Sequence, residues 1–230
     1  HPGIDEASIE MLITPKTKAI VVVHYAGVAC DMDIIMEIAH RHQLLVIEDA
    51  AQAIDSFYKN KALGGIGHLG AFSFHETKNI QCGEGGALVI NNTKYVERAE
   101  IIREKGTNRS EFIRGEVQKY QWVDKGSSYL LAESLAAILL GSLEEFTKIQ
   151  TSRQLIANTY TEKLSGWAKS SNFMLQPQNK SEINSAHMFY LVSESQLDRE
   201  VFIEYLGKEG IHTTFHYQSL VDSKQGKVFK

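Results

Sequence analysis

The chain has 230 residues, 43% apolar and 23% charged, with a formal net charge of -4. That balance suits a soluble globular protein with a sizeable core, and it excludes the basic footprint of a nucleic-acid binder and a polybasic membrane patch. Cys30 and Cys82 form neither a disulfide framework nor a metal-ligand pair, so a reducing, cytoplasmic setting is expected.

The chain opens at His1-Pro2-Gly3 and closes at Phe229-Lys230 just after a strand-like segment, which reads as an internal fragment of a longer protein. Asp5–Leu12 is predicted as a short helix capped by Asp5 or Ser8. Thr17–Val23 is a continuous apolar run, the pattern of a strand buried on both faces of a parallel sheet. Asp31–His42 places Ile34, Ile35, Ile38 and Ala39 at the spacing of one buried helix face. Leu44–Ile47 is a second strand, and strand, helix and strand in this order define a right-handed α/β crossover. Lys94–Arg103 reads as a helix, and Gly106–Tyr120 as a long polar loop for function or an interface. Ala132 to about Leu164 is helical, as two helices or one; its apolar start is too short, and too interrupted by Glu133, to span a bilayer. Trp167–Ile183, with Pro177, reads as a linker or loop. Met188–Val192 is a predicted strand, Arg199–Glu209 a helix stopped by Gly210, and His212–His216 another strand, together a small α+β unit.

Chemistry concentrates in Gly70–Gly86, GAFSFHETKNIQCGEGG. Ala71–Phe74 alternates, His75–Asn79 forms a polar elbow, and the turn Gly83-Glu84-Gly85-Gly86 opens a second apolar run. A lysine between two buried strands can condense with a carbonyl when desolvation and neighbours favour its neutral amine. Ligands of open parallel sheets gather at the carboxyl ends of strands. Three such ends deliver polar groups: His24-Tyr25, Asp49 with Gln52, and Ser73 through Lys78. Lys78 can capture an electrophile, Asp49 can keep a ring nitrogen protonated so that the ring is an electron sink, and Ser73 can bind an anion. Each has a plainer alternative: Lys78 as a solvated loop lysine, Asp49 as a helix N-cap, His24 as a hydrogen-bonded core histidine. His212 and His216 share a face of a predicted strand like a metal pair, but no Asp, Glu or Cys completes a signature, and no metal is expected. Arg109, Arg114 and Lys119 read as a solvated charge run, with one of them open to a phosphate-bearing substrate.

EDAAQA at Glu48–Ala53, FSFHETKN at Phe72–Asn79 and GEGG at Gly83–Gly86 resemble, in order and separation, the DegT/StrS family of sugar-nucleotide aminotransferases. The resemblance covers nearly the whole chain, including VVVHYAGVACDMD and IHTTFHYQSL. HYAGVAC, AEIIREKGTNRS, GSSYL and AHMFY are most similar to the branch that aminates dTDP-4-keto-6-deoxy-hexoses to dTDP-4-amino-4,6-dideoxygalactose for surface polysaccharide. The resemblance implies an aspartate-aminotransferase-like α/β large domain with a parallel-rich sheet over 1–131, its N-terminal part missing. It also implies connecting helices over 132–165 and a truncated small α+β domain over 166–230. Pyridoxal 5′-phosphate is the implied cofactor, with Lys78 as the covalent and catalytic residue and Asp49, Gln52 and Ser73 as cofactor contacts. Ser128 stands where many members carry an asparagine that reaches a neighbouring subunit's cofactor phosphate, so a homodimer with shared sites is implied. His216, Tyr217 and Arg109 are implied substrate contacts, and L-glutamate the amino donor.

Two other readings stand beside it. A sugar-nucleotide dehydratase of the same fold, or an enzyme of other sugar specificity, is close; the dehydratase branch carries histidine at the lysine position, which Lys78 disfavours. A non-catalytic scaffold would need none of Lys78, Asp49 and Gln52.

Overall fold

A computed structural model of the chain describes residues 2–176 and 183–229. Two compact units are present, His1–Glu162 with Pro177–Phe189, and Lys163–Gln176 with Tyr190–Lys230. In the first, helix α1 (Glu6–Ile9) is capped by Asp5, whose carboxylate accepts the Ala7 N–H, and a 3₁₀ turn carries it to Leu12.

Strand β1 (Ala19–Val23), helix α2 (Met32–His42) and strand β2 (Leu45–Asp49) form the expected crossover. Asp31 caps α2, its carboxylate accepting from Ile34 N–H at 3.2 Å and from the Tyr58 hydroxyl at 2.8 Å. Ile35, Ile38 and Ala39 are buried as predicted, but Ile34 is 45% exposed and Met32 takes its place in the core. Strands β3 (Phe57–Tyr58) and β4 (Lys61–Ala62) pair through Lys59-Asn60, both with positive φ, a two-residue hairpin too short for periodicity to reveal.

Strands β5 (Leu69–Ser73) and β6 (Gly86–Ile90) complete a sheet of order β1-β2-β5-β6, in which β6 alone runs antiparallel to its neighbour. The register aligns Val22, Glu48, Gly70 and Val89 in one row and Val23, Asp49, Ala71 and Leu88 in the next. Successive residues of a strand face opposite sides. Ile20, Val22, Val46 and Glu48 are therefore buried in the layer that packs on α2, with Cys30, Ile35 and Leu63. Burial pushes the Cys30 thiol up to about 11, which makes it a core residue and not a nucleophile. The expectation that β1 is buried on both faces is corrected: Val21 is 57% and Val23 42% exposed, as is Leu88 at 54%. An unbroken valine run tolerates two covered faces or one, and the described residues cover one.

Helices α3 (Val96–Arg103) and α4 (Arg109–Ile113) follow. The long loop expected over Gly106–Tyr120 is thus partly helical, and it is pinned by backbone bridges Glu104 to Ser128 and Thr107 to Trp122. Its polarity hid this order because ion pairs supply it: Arg109 reaches Glu104 at 2.6 Å, and Arg114 reaches both Glu100 and Glu116 at 2.9 Å. The helical stretch beyond is two helices, α5 (Glu133–Glu144) and α6 (Phe146–Ala168).

The second unit holds the end of α6, strands β7 (Phe173–Leu175) and β8 (Leu191–Ser193), and helix α7 (Gln196–Lys208). Trp167, Phe173 and Phe202 form its aromatic core. The predicted linker Trp167–Ile183 therefore contains the helix end and β7, while Pro177 lies outside the described residues. The strand predicted at Met188–Val192 forms one to three residues later. His212–His216 forms no ladder, because a β-branched and aromatic run needs a partner strand to become one.

Candidate active site

The three parallel strands end together. The His24 N–H donates to the Asp49 carbonyl at 3.1 Å, and the Ala50 N–H to the Ala71 carbonyl at 2.9 Å, so the chain leaves β1, β2 and β5 at one level. Asp49 lies on the open face between Val23 and Ala71, and Ser73 lies two residues past Ala71 on the same face. Asp49 Oδ1 accepts the Ala51 N–H at 3.0 Å, so the plain reading as a local cap is half right. Gln52, in the turn after β2, accepts the Ala26 N–H on its Oε1 at 2.6 Å; Ala26 sits at φ 57, which turns the chain after His24 back toward it. Ser73 Oγ accepts the His75 N–H at 3.3 Å.

One residue before Asp49, Glu48 points the other way and is fully buried. Its carboxylate accepts from Gly64 and Ile66 N–H at 2.7 Å, from Gly67 N–H at 2.5 Å, and from His24 Nε2 at 3.0 Å. The Cys30 N–H donates to His24 Nδ1 at 3.3 Å, which assigns the ring proton to Nε2. His24 is thus the hydrogen-bonded core histidine of the plainer reading. Burial raises the Glu48 carboxyl, but the His24 and backbone hydrogen bonds outweigh it and hold Glu48 below its ordinary range. Gly70, opposite Glu48 in the register, makes room for this turn: a Cβ there would stand 2.1 Å from the Gly64 carbonyl oxygen. Gly70→Ala is expected to cost about 3 kcal/mol, the upper range for overpacking, read as a lowered midpoint in urea at unchanged slope.

Phe74 and Ile80 are the buried posts of the elbow, packed with Leu135 and Leu139 of α5 and Phe146 and Ile149 of α6. Between them the Lys78 N–H closes a turn onto the His75 carbonyl at 2.9 Å. Among the described residues the Lys78 side chain has no hydrogen-bond or ion-pair partner. The next residue is held firmly. Asn79 Nδ2 donates to Gln150 Oε1 at 2.9 Å and to the Ser185 carbonyl at 2.8 Å, and His187 Nδ1 donates to Asn79 Oδ1 at 2.9 Å. Asn79 carried a visible clue, its place beside the lysine, and His187 lies in the AHMFY stretch; Gln150 and Ser185 carried none that a single sequence shows.

The other candidates lie elsewhere. Ser128 is exposed on the segment that bridges to Glu104, and the Arg109 guanidinium is engaged by the buried Glu104. His216 and Tyr217 belong to the second unit, their rings stacked 4.0 Å apart. The structure brings Asp49, Gln52, Ser73 and Lys78 to one end of one sheet; Ser128 and Arg109 lie on the stretch tied to Glu104, which runs on to Leu131, packed against Phe74, Ile80 and Cys82 of the elbow.

An α/β unit whose parallel strands end in an aspartate and a lysine-bearing elbow is the large-domain arrangement of the fold-type I pyridoxal-phosphate transferases. Within that class, the chain belongs to the DegT/DnrJ/EryC1/StrS aminotransferase family, whose model matches residues 3–227. It is 35% identical over 189 residues to GDP-perosamine synthase of Caulobacter vibrioides, which covers 82% of this chain and 48% of that protein. It superposes on DesV of S. venezuelae with a TM-score of 0.85 and 32% identity, over 99% of this chain and 58% of that one. It also superposes on Helicobacter pylori PseC, an aminotransferase involved in the biosynthesis of pseudoaminic acid. There the TM-score is 0.87 at 28% identity, over 98% of this chain and 59% of that one. The chain spans about half the length of the curated relatives it matches. Aminotransferases of this family depend on pyridoxal 5′-phosphate.

The hydrogen-bonding inventory of the site fits that cofactor. Among the described residues Asp49 uses only Oδ1, leaving an acceptor oxygen of the kind a protonated ring nitrogen would need. Gln52 uses its oxygen on Ala26 and leaves its amide N–H groups as donors. Ser73 accepts from His75 and leaves its O–H as a donor. The Lys78 side chain forms no hydrogen bond or ion pair among the described residues. The groups left over are of the sign that such a cofactor would require. Among the described residues no helix is long and apolar enough to cross a membrane, and no cluster of three His, Cys, Asp or Glu could hold a metal.

Proposed function

We propose that the protein carrying this chain moves an amino group from L-glutamate to the keto carbon of a dTDP-linked 4-keto-6-deoxy-hexose, giving a dTDP-4-amino-4,6-dideoxy sugar for surface polysaccharide. The observation that carries the reading is the Lys78 side chain, unpartnered among the described residues, in an elbow that leaves the sheet beyond the level of Asp49. When bound, pyridoxal phosphate supplies an electron sink for the carbon that gains or loses the amino group. With the cofactor bound, Lys78 Nζ would take the proton from the α-carbon of glutamate and pass it to the cofactor, and in the second half would take a proton back from the cofactor and deliver it to the sugar carbon. Asp49 keeps the ring nitrogen protonated, Gln52 donates to the phenolic oxygen, and Ser73 donates to the phosphate. His216, Tyr217 and Arg109 are assigned to the substrate, and Ser128 to the phosphate of a partner copy, on resemblance alone.

A homodimer belongs to the same proposal. Its support is the apolar surface of α5 and the segment before it: Trp122, Tyr129, Ile138 and Leu140 are all exposed. The similarity to GDP-perosamine synthase makes a GDP-linked keto sugar the second reading of the substrate.

The test is borohydride reduction of the full-length protein with added pyridoxal phosphate, followed by peptide mass mapping. A phosphopyridoxyl adduct on Lys78 is the expected result, and a folded protein without one overturns the reading. Turnover of glutamate with dTDP-4-keto-6-deoxyglucose against its GDP-linked counterpart then decides the nucleotide.

A further inference from the structure

The mechanism leaves unused a buried hydrogen-bonded strap, residues 184–187, that joins the two arms of the site. Ser185 is fully buried and uses every polar group it has. Its N–H donates to Ser56 Oγ at 2.8 Å, and its hydroxyl donates to the Gln52 carbonyl at 2.7 Å. Its carbonyl accepts from Asn79 Nδ2 at 2.8 Å and from Gln150 Nε2 at 3.3 Å. One residue therefore touches both the backbone of Gln52 and the neighbour of Lys78, although it lies more than a hundred positions downstream. Helix α6 grips the strap from outside: Arg153 Nε donates to the Ala186 carbonyl at 3.1 Å, and Gln154 to that of Asn184. Ala186, at φ 48, takes the backbone bend that lets His187 turn back to Asn79.

We infer that Ser185 and Asn79 are positioning residues, which set the Lys78 amine against the Gln52 arm through the Ser185 carbonyl and hydroxyl. This rests on the assignment of Lys78 and Gln52 to the cofactor. The alternative is that the network serves the core alone. Geometry separates the two, because a core staple has no need to meet Gln52 and the Lys78 elbow at one residue. A misplacement of reacting groups by about 1 Å costs on the order of 100-fold in rate, so a network acting on placement shows itself in turnover before it shows in folding.

The experiment uses the full-length protein as Ser185→Ala, Asn79→Ala and the double variant, with Ile38→Val as a core variant remote from the site. Three quantities are read: the rate of borohydride trapping of pyridoxal phosphate on Lys78, the pH midpoint of the bound cofactor's visible absorption, and the melting temperature. Trapping in both single variants is expected to slow by about 10-fold or more. The absorption midpoint is expected to move, and the double variant to do little more than either single one. Ile38→Val is expected to lower the melting temperature with trapping and midpoint unchanged. Folded variants that trap at the wild-type rate with an unmoved midpoint overturn the inference and leave the function standing. A wild-type protein that does not trap at Lys78 overturns the function first. If Asn79→Ala does not fold, Ser185→Ala decides, since it removes one hydroxyl and keeps the carbonyl that Asn79 needs.

Discussion

Lys78→Ala is expected to reduce amino transfer by ~10³-fold or more in the full-length protein, with the fold unchanged. A general acid–base group alone contributes about 10²- to 10⁴-fold, and this residue is also assigned the covalent hold on the cofactor. The fold should survive because the Lys78 side chain forms no hydrogen bond or ion pair among the described residues, and the elbow is held by Phe74, Asn79 and Ile80 instead. The check is steady-state turnover with glutamate beside the melting temperature. Lys78→Ala with wild-type turnover would remove the residue from the mechanism and the mechanism from the protein.

Glu48→Ala is the second large effect, and it falls on stability. The substitution leaves the Gly64, Ile66 and Gly67 N–H groups and the buried His24 ring without their acceptor. A buried donor without its acceptor costs about 1–3 kcal/mol, so a loss of about 3 kcal/mol or more is expected, to be read from urea unfolding. The wild-type protein should show the same contribution as a pH dependence. A carboxyl held below its unfolded value binds fewer protons folded than unfolded, so stability rises with pH across the interval between the two values. The contribution of Glu48 is complete above its ordinary value of 4.5 and is lost as the pH falls from there through the depressed folded value. Glu48→Ala should therefore flatten the acid limb of the stability profile. A limb of unchanged steepness would mean that other carboxylates carry it.

The strand-helix-strand crossover, the central elbow and the convergence of Asp49, Gln52, Ser73 and Lys78 were all legible in the sequence. They rest on local signals: apolar runs and polar residues just past strand ends. What was not legible depends on partners distant along the chain. Glu48 has the same chemistry as Asp49, and only the pleat reveals that one is a buried staple and the other lies on the open face, where the proposed function places the cofactor. The order in Gly106–Tyr120 comes from guanidinium pairs that a polar composition conceals. Asn79 shows itself beside Lys78, and His187 lies in AHMFY, but nothing local to Gln150 or Ser185 shows that they meet Asn79. Ile34 is exposed because at 100° of turn per residue it lies about 110° from the centre of the face formed by Met32, Ile35, Ile38 and Ala39, beyond its edge.

The adjacency of Glu48 and Asp49 has an evolutionary consequence. Two neighbouring acids face opposite sides of a single strand, one holding a buried turn and the other on the open face, with the cofactor role proposed for it. A deletion or insertion of one residue within β2 would exchange them, sending the proposed cofactor contact into the interior and the staple out to the open face. Length changes in this strand are thus expected to disturb both roles at once, whereas substitutions can be tried at either role separately. Drift in this protein should consequently alter the identity of residues along β2 freely on its flanks, and leave their number alone.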